Sequence, residues 1–245
     1  MKRIKGWGLL LATMMFANVH VAFASNDSGS KSADQDRRMH QIFAQGAVLN
    51  QGIDYSRQFK FDLAFSKMLE ATQPKYLIDD SDKSYPLERL ADLHRELGLC
   101  SEANKIYDWH RSRGSKNSAL DLKTSYLKAC SEFQQTGNKQ PIYDFIEQYK
   151  KANKDRIPPK WMDPIVFSVV AELYDLVGDY DAGIAWGKLF RKRDDSQPLK
   201  KTRKEYDGLI QAFEESKRGM QKVCSEDGKY CVGRATAYII RSKYF

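Results

Sequence analysis

The chain has 245 residues, of which 42% are hydrophobic, a size and composition that suit one domain or one continuous stack of repeats. Its formal net charge of +8 is modest, because 40 basic residues are offset by 32 acidic ones. The first 24 residues carry three basic residues and no acidic one, so the rest of the chain has a charge of +5. This mild excess among charges of both signs does not indicate a nucleic-acid partner.

The N-terminal segment has the pattern of an export signal. Lys2, Arg3 and Lys5 form a positive region, a mostly apolar stretch follows over 9–23, and 22–24 reads Ala-Phe-Ala, a small-x-small cleavage site. We therefore predict that residues 1–24 are a cleaved signal peptide and that the mature protein is periplasmic or secreted. A membrane anchor is the alternative, but the apolar stretch is short and polar in the middle. No later segment predicts a membrane span.

The remaining chain predicts an all-α fold. Residues 25–36 are small and polar, so we expect a flexible leader. Residues 37–222 form the predicted helical domain, because Gly and Pro fall between segments of helical apolar periodicity. The predicted helices span 34–50, 55–72, 86–97, 101–113, 118–136, 140–153, 163–177, 181–193 and 199–222. Their short links predict antiparallel neighbours.

Three predicted helix pairs share large, small and glycine positions in the same order. The first pair has Leu87, Leu90, Ala91, Gly98, Ala103 and Tyr107. The second has Tyr126, Ala129, Cys130, Gly137, Ile142 and Ile146. The third has Phe167, Val170, Ala171, Gly178, Gly183 and Gly187. Small residues allow two helices to approach closely, and the central glycine allows a left-handed turn between them.

This alternation resembles the tetratricopeptide repeat, or TPR, a stack of antiparallel helix pairs. The segment AELYDLVGDYDAGIAWGKLF of the third pair carries the resemblance best, with Gly178, Asp179 and Tyr180 at the turn. Two departures are the bulky Ile142 in the second pair and unit spacings longer than the family's. Residues 39–72 suggest a further pair with Gly52 at its turn. An unrelated helical bundle is the alternative interpretation.

The end of the predicted stack has two parts. The segment 199–223 has one apolar stripe, of Tyr206, Leu209, Ile210 and Phe213, as a capping helix needs. Residues 223–245 then predict a disulfide-linked β-hairpin or extended tail. Asp227-Gly228 is a hairpin turn signal, and a two-residue turn there places Cys224 opposite Cys231. The β-branched and aromatic residues of 232–245 suggest a short strand or an extended tail.

Four cysteines in an exported chain suggest two disulfides. Besides Cys224–Cys231, we predict a bridge between Cys100 and Cys130 that links two helical units. Two buried free thiols are the alternative for this second pair. A zinc site is disfavoured, because the spacings contain no C-x-x-C and no histidine lies near 224–231. We predict no metal and no cofactor.

The TPR resemblance implies that the first helices of the pairs line a concave groove. The groove residues that it implies are Tyr85, Glu88, Asp92, Arg95, Glu96, Leu127, Ser131, Gln134, Gln135, Ser168, Glu172 and Asp175. This surface is polar with an acidic bias, which suits a basic or extended peptide. The chain has none of the common catalytic or nucleotide-binding motifs. We therefore expect a non-catalytic scaffold that binds a protein or peptide, with no nucleic acid involved.

Two other functions remain open from the sequence. The basic segment 191–204 suggests a structural protein that binds an anionic envelope surface, although a solvated loop is the simpler explanation. Cys100 lies between His94 and His110, which raises the possibility of a thiol-dependent enzyme. Such an enzyme needs a free thiol close to a base, and an oxidising compartment favours a disulfide instead.

Overall fold

The computed structural model describes residues 30–113, 118–152, 164–194, 200–220 and 222–242. The predicted signal peptide, 1–24, and the first part of the predicted leader, 25–29, lie outside the described residues. The chain divides into two compact units, 1–39 and 40–245. In the first unit, the described residues are the beginning of one long helix.

The described residues are mostly helical, which confirms the predicted all-α class. The helices are α1 (Ser30–Arg57), α2 (Phe61–Glu70), α3 (Ser84–Glu96), α4 (Cys100–Ser112), α5 (Ser118–Thr136), α6 (Gln140–Ala152), α7 (Pro164–Val177), α8 (Tyr180–Asp194), α9 (Lys200–Lys217) and α10 (Arg234–Ser242). Two short strands, β1 (Lys222–Cys224) and β2 (Cys231–Gly233), form an antiparallel ribbon.

Helix α1 differs from the prediction at both ends. It begins at Ser30, so residues 30–36 of the predicted leader are helical. It also continues through Gly52, where we expected a turn. A Cβ atom on Gly52 would lie 3.0 Å from Cγ of Met68 and 3.2 Å from the carbonyl oxygen of Ala64. This glycine therefore allows close packing of α2 against α1, and the chain turns later, where Phe59 has a positive φ of 59°.

The three central helix pairs have the predicted turns. Gly98, Gly137 and Gly178 end the first helix of each pair with φ of 71°, 72° and 72°. In this left-handed region a Cβ atom is unfavourable, which explains why glycine recurs at the three equivalent positions. Within the described residues, each helix from α2 to α8 contacts the next helix along the chain. The packing is therefore repeat-like.

Both predicted disulfides are present. Cys100 at the start of α4 is bonded to Cys130 in α5, and both residues are fully buried. The bond joins the first and second central pairs. The second disulfide joins Cys224 and Cys231, which lie directly opposite each other in the ribbon.

The hairpin turn is longer than the two residues that we predicted. The amide of Ser225 donates to the carbonyl of Tyr230 at 2.9 Å, and the amide of Gly228 donates to the carbonyl of Ser225 at 2.9 Å. The Cα atoms of Cys224 and Cys231 are 4.1 Å apart, as in a non-hydrogen-bonded pair. The pairing of Cys224 with Cys231 was predicted correctly. The two residues form a pair that exchanges no backbone hydrogen bonds, and the hydrogen-bonded positions lie on either side of it.

Helix α9 covers α8 through its predicted apolar stripe. Tyr206, Leu209, Ile210 and Phe213 are all buried. The glycines of α8 make this contact possible, since a Cβ on Gly183 would lie 2.5 Å from the ring of Phe213. The predicted capping role of this segment agrees with the packing.

The prediction of a strand or extended tail after the hairpin is wrong. Residues 234–242 form α10, which contacts α7 and α9. The small residues Ala235 and Ala237 are buried together with Ile239 and Ile240, so one face of the segment is apolar at helical spacing. Gly208 of α9 leaves room for the ring of Tyr238, because a Cβ atom on residue 208 would lie 2.4 Å from that ring. Tertiary packing thus outweighs the β propensity of the isoleucines.

Candidate functional site

The surface formed by the first helices α3, α5 and α7, here called the first-helix surface, is partly covered by the C-terminal segment 222–242. Val232, Ala237 and Ile240 are buried in one apolar cluster with Leu90 and Leu93 of α3. Ala235 and Ile239 join a second cluster with residues of α7. The segment therefore occupies part of the surface on which a TPR-like protein is expected to bind its partner.

The hairpin also reaches α2. The carboxylate of Asp62 accepts a hydrogen bond from the hydroxyl of Tyr230 at 3.1 Å and pairs with Nζ of Lys229 at 2.7 Å. The ring of Tyr230 contacts the edges of Phe61 and Phe65, with centroids 5.8 and 5.7 Å away. These contacts hold the hairpin against α2.

A cavity of about 410 Å³ remains where the C-terminal ends of α3, α5 and α7 meet the hairpin and α10. Its walls are both charged and apolar. The lining residues are Arg95, Glu96, Leu97, Gly98, Tyr126, Gln134, Glu172, Asp175, Leu176, Val177, Gly178, Tyr180, Lys222, Cys231, Val232, Gly233 and Thr236. The volume is large enough for a side chain or a small ligand.

Arg95 is the central cation of this cavity and is buried. It forms an ion pair with Glu172, and its other nitrogens lie 3.5 Å from Glu96 and 3.8 Å from Asp92. Burial acts to lower the pKa of Arg95, but the surrounding negative charges, Glu172 foremost, outweigh it, and the pKa is raised. The guanidinium also lies 5.2 Å from the ring centre of Tyr126. Arg95 is therefore held charged and fixed in position.

Asp175 connects α7 to the beginning of α10. Its Oδ2 accepts hydrogen bonds from the backbone amide of Thr236 at 2.8 Å and from the Thr236 hydroxyl at 2.7 Å. A Cβ atom on Gly233 would overlap this carboxylate, so glycine is needed there. Asp175 thus caps α10 from another helix. Burial raises the pKa of Asp175, although the hydrogen bonds from Thr236 act against that rise.

The predicted groove residues separate into two sets. Arg95, Glu96, Gln134, Glu172 and Asp175 line the cavity together. Tyr85 and Glu88 are exposed nearer the start of α3, while Ser131 is half-buried and Gln135 is exposed on α5.

Burial is the main difference from the predicted groove. Asp92, Arg95, Glu96, Ser168, Glu172 and Asp175 are buried rather than open, and Leu127 belongs to the core. Arg95 pairs with Glu172, and Asp175 binds Thr236 of α10. Asp92 instead accepts a hydrogen bond from the hydroxyl of Tyr107 in α4 at 2.9 Å. Sequence reasoning missed the contribution of Gly233 and Thr236. A glycine at the end of the second hairpin strand was the available signal for a close backbone approach.

The two alternative functions gain little from the structure. Cys100 is in a disulfide, so it offers no thiol to His94, whose ring stacks on Phe65 with centroids 4.5 Å apart. In the basic segment, Arg191 pairs with Asp207 at 2.9 Å, and residues 195–199 lie outside the described ranges.

Among the described residues, no helix combines the length and the apolar character that a membrane crossing requires. The same part of the chain contains no group of three His, Cys, Asp or Glu residues arranged to hold a metal ion. Comparisons with protein-family models, with curated proteins and with solved structures found no match.

Proposed function

We propose that this protein is a non-catalytic, TPR-like scaffold that captures a segment of a protein partner on its first-helix surface. The observation that carries the proposal is the convergence of Arg95, Gln134 and Glu172, from three successive first helices, on one cavity. A repeat stack uses such a surface to hold an extended or helical segment. The exposed Tyr85 and Glu88 continue the surface away from the cavity.

The C-terminal segment supports this assignment, because it already packs on the first-helix surface in the way that a partner segment would. Segment 222–242 packs on the first-helix surface through an apolar face and through the polar contact between Thr236 and Asp175. Those are the two kinds of contact that a partner segment would use. The rest of the surface, with Gln134 at the edge of the cavity, is where we place the partner.

We place the protein in the periplasm or the secreted space. All four cysteines are in disulfides, which persist in an oxidising compartment. The predicted signal peptide over 1–24 supports the same location. In this compartment a thiol-dependent activity has no available thiol.

Site-specific photocrosslinking in the producing cell tests the proposed function. A benzoylphenylalanine at Gln134 should give a discrete adduct with the partner, because this exposed side chain borders the cavity. The matched control is the same residue at Lys188, which is exposed on the second helix α8. Equal adducts from both positions, or none from Gln134 and Tyr85, would count against partner binding on the first-helix surface.

A further inference from the structure

The two disulfides differ in their access to solvent. Cys100 and Cys130 are both 0% exposed, so their bond lies inside the core. Cys224 and Cys231 are both exposed, and their bond joins the two strands of the hairpin at the surface. A thiolate breaks a disulfide by attacking one of its sulfurs directly, so the rate of reduction depends on access to that sulfur. The hairpin bond can therefore be reduced while the buried bond stays intact.

The hairpin, residues 222–233, forms one wall of the cavity. Lys222, Cys231, Val232 and Gly233 are lining residues, and all four belong to its two strands. Most of the other lining residues come from α3, α5 and α7, the helices of the first-helix surface. Movement of the hairpin away from these helices would therefore open the cavity to solvent.

Few other contacts keep the hairpin in place. Its strands pair over only three residues each, and a two-stranded ribbon is at best marginally stable alone. Val232 is the only buried residue among 222–233, and Tyr230, which packs on α2, is half-buried. The ion pair of Lys229 with Asp62 contributes little, because both side chains are more than half exposed. The disulfide therefore supplies much of what holds the hairpin closed.

The helices on either side of the hairpin are held independently of this bond. Arg234, at the start of α10, pairs with Glu215 of α9 at 2.7 Å, and Thr236 is bound by Asp175. Gly219, between α9 and β1, has a φ of 101°, a conformation that glycine adopts readily and other residues rarely do. The hairpin is therefore a short segment between two anchored helices, and its first end is free to change direction.

We propose that the hairpin is a redox-controlled flap over the cavity. One thiolate of a dithiol, such as the paired cysteines of a thioredoxin-like protein, attacks one sulfur of the Cys224–Cys231 bond and displaces the other sulfur as a thiolate. The second thiol of the dithiol then breaks the mixed disulfide. Cys224 and Cys231 are left as two thiols and the dithiol becomes a disulfide, so two electrons and two protons pass to this protein.

The consequence of this reduction is that the strands separate and more of the first-helix surface becomes available to the partner segment. In this last step the inference rests on the proposed function. The disulfide form is the closed state, in which β2 covers the ends of the first helices. The dithiol form is the open state, in which α10 stays bound to α7 and α9.

The first test uses the full chain and dithiothreitol as the dithiol. Alkylation with iodoacetamide followed by peptide mass spectrometry identifies the cysteines that have been reduced. Cys224 and Cys231 should be alkylated about tenfold faster than Cys100 and Cys130, or faster still, because only the hairpin sulfurs are accessible. Equal rates for the two pairs, or faster reduction of the buried pair, would overturn the inference.

Amide hydrogen exchange then measures the opening. When only the hairpin bond is reduced, the amides of Ser225 and Val232 should exchange about 50-fold faster, the factor that the chain-entropy relation gives for so short a loop. The amide of Ile240 in α10 should keep its protection. Cys224→Ser with Cys231→Ser should exchange as fast without dithiothreitol and should not respond to it. Unchanged exchange in the hairpin, or an equal increase at Ile240, would contradict a flap.

Crosslinking separates failure of the flap from failure of the proposed function. With benzoylphenylalanine at Gln134, the double variant Cys224→Ser, Cys231→Ser should give more partner adduct than the chain with the disulfide. If both chains give equal adduct while the hairpin amides respond, the opening does not serve the partner and the inference is wrong. If neither chain gives adduct while the amides respond, the proposed function fails and the redox response of the hairpin stands.

Discussion

Asp175 and Thr236 lie 61 residues apart in the chain and are joined by two hydrogen bonds, both to the same carboxylate oxygen. The pair fixes the beginning of α10 against α7 and forms one wall of the cavity. Since one residue belongs to the helical stack and the other to the C-terminal segment, the same contact serves the stability of the fold and the shape of the site.

Asp175→Ala should lower the free energy of unfolding by about 1–3 kcal/mol, because it leaves the buried Thr236 hydroxyl and amide without their acceptor. Urea denaturation with both disulfides intact measures the change. Thr236→Ser keeps the hydroxyl and serves as the matched control. Stability of Asp175→Ala equal to that of the wild type would show that the pair does not hold α10.

The stability of the wild type should depend on the protonation of Asp175. Burial raises the pKa of this carboxyl above its ordinary value of 3.8 in the folded state. Between 3.8 and the raised pKa the folded state binds more protons than the unfolded state, so this contribution to stability falls as the pH rises through that window. Below pH 3.8 both states are protonated and the burial penalty for the charge is absent.

Asp175→Asn has no such titration. The free energy of unfolding of the wild type minus that of Asp175→Asn should therefore increase as the pH is lowered from about 7 to about 4. Urea denaturation at several pH values measures the difference, and Glu88→Gln corrects for the loss of one carboxylate elsewhere. A difference that stays constant or decreases toward low pH would contradict the assignment.

Much of the fold was predictable because local signals decided it. The glycines at 98, 137 and 178 take positive φ, as their position after an apolar-periodic helix indicates. The end of the chain was not predictable in this way. Residues 234–242 are β-branched and aromatic in part, and only their packing on α7 and α9 makes them helical.

Some of the residues that line the cavity were named in the predicted groove, but their burial was not expected. The TPR resemblance implied that Arg95, Glu172 and Asp175 share one surface, and all three line the cavity. The resemblance does not reveal that Glu172 pairs with Arg95 or that Thr236 covers Asp175. Both contacts join residues more than 60 positions apart, which periodicity within one helix cannot detect.

The two disulfides should contribute unequally to stability. Cys100 and Cys130 are 30 residues apart, and Cys224 and Cys231 are 7 apart. The chain-entropy relation gives about 3–4 kcal/mol for the longer loop and about 2.5 kcal/mol for the shorter one. Cys100→Ala with Cys130→Ala should therefore destabilise the fold more than Cys224→Ser with Cys231→Ser.

Urea denaturation of the two double variants tests this order, with reduced wild type as the reference that lacks both bridges. The buried pair is replaced by alanine and the exposed pair by serine, so that each substitution suits its environment. A larger loss on removal of the hairpin bridge would contradict the loop-length account. It would show instead that the hairpin controls packing of the C-terminal segment.

Three glycines should respond to alanine in different ways, because different physical demands select them. Gly183→Ala places a Cβ 2.5 Å from the ring of Phe213, so it should destabilise the contact of α8 with α9 by about 1–3 kcal/mol. Gly137→Ala meets no atom within 4 Å but has φ of 72°, so backbone strain alone should cost about 1–2 kcal/mol. Gly46 lies inside α1 with open space around it.

Gly46→Ala is therefore the matched control and should stabilise the protein by about 0.5–1 kcal/mol, because alanine loses less backbone entropy in a helix. Thermal and urea unfolding of the three variants measure the order. Loss of stability in Gly46→Ala would contradict the open space around this glycine. No loss in Gly183→Ala would contradict the tight contact of Gly183 with Phe213, and would mean that the ring of Phe213 moves aside while other contacts hold α9 to α8.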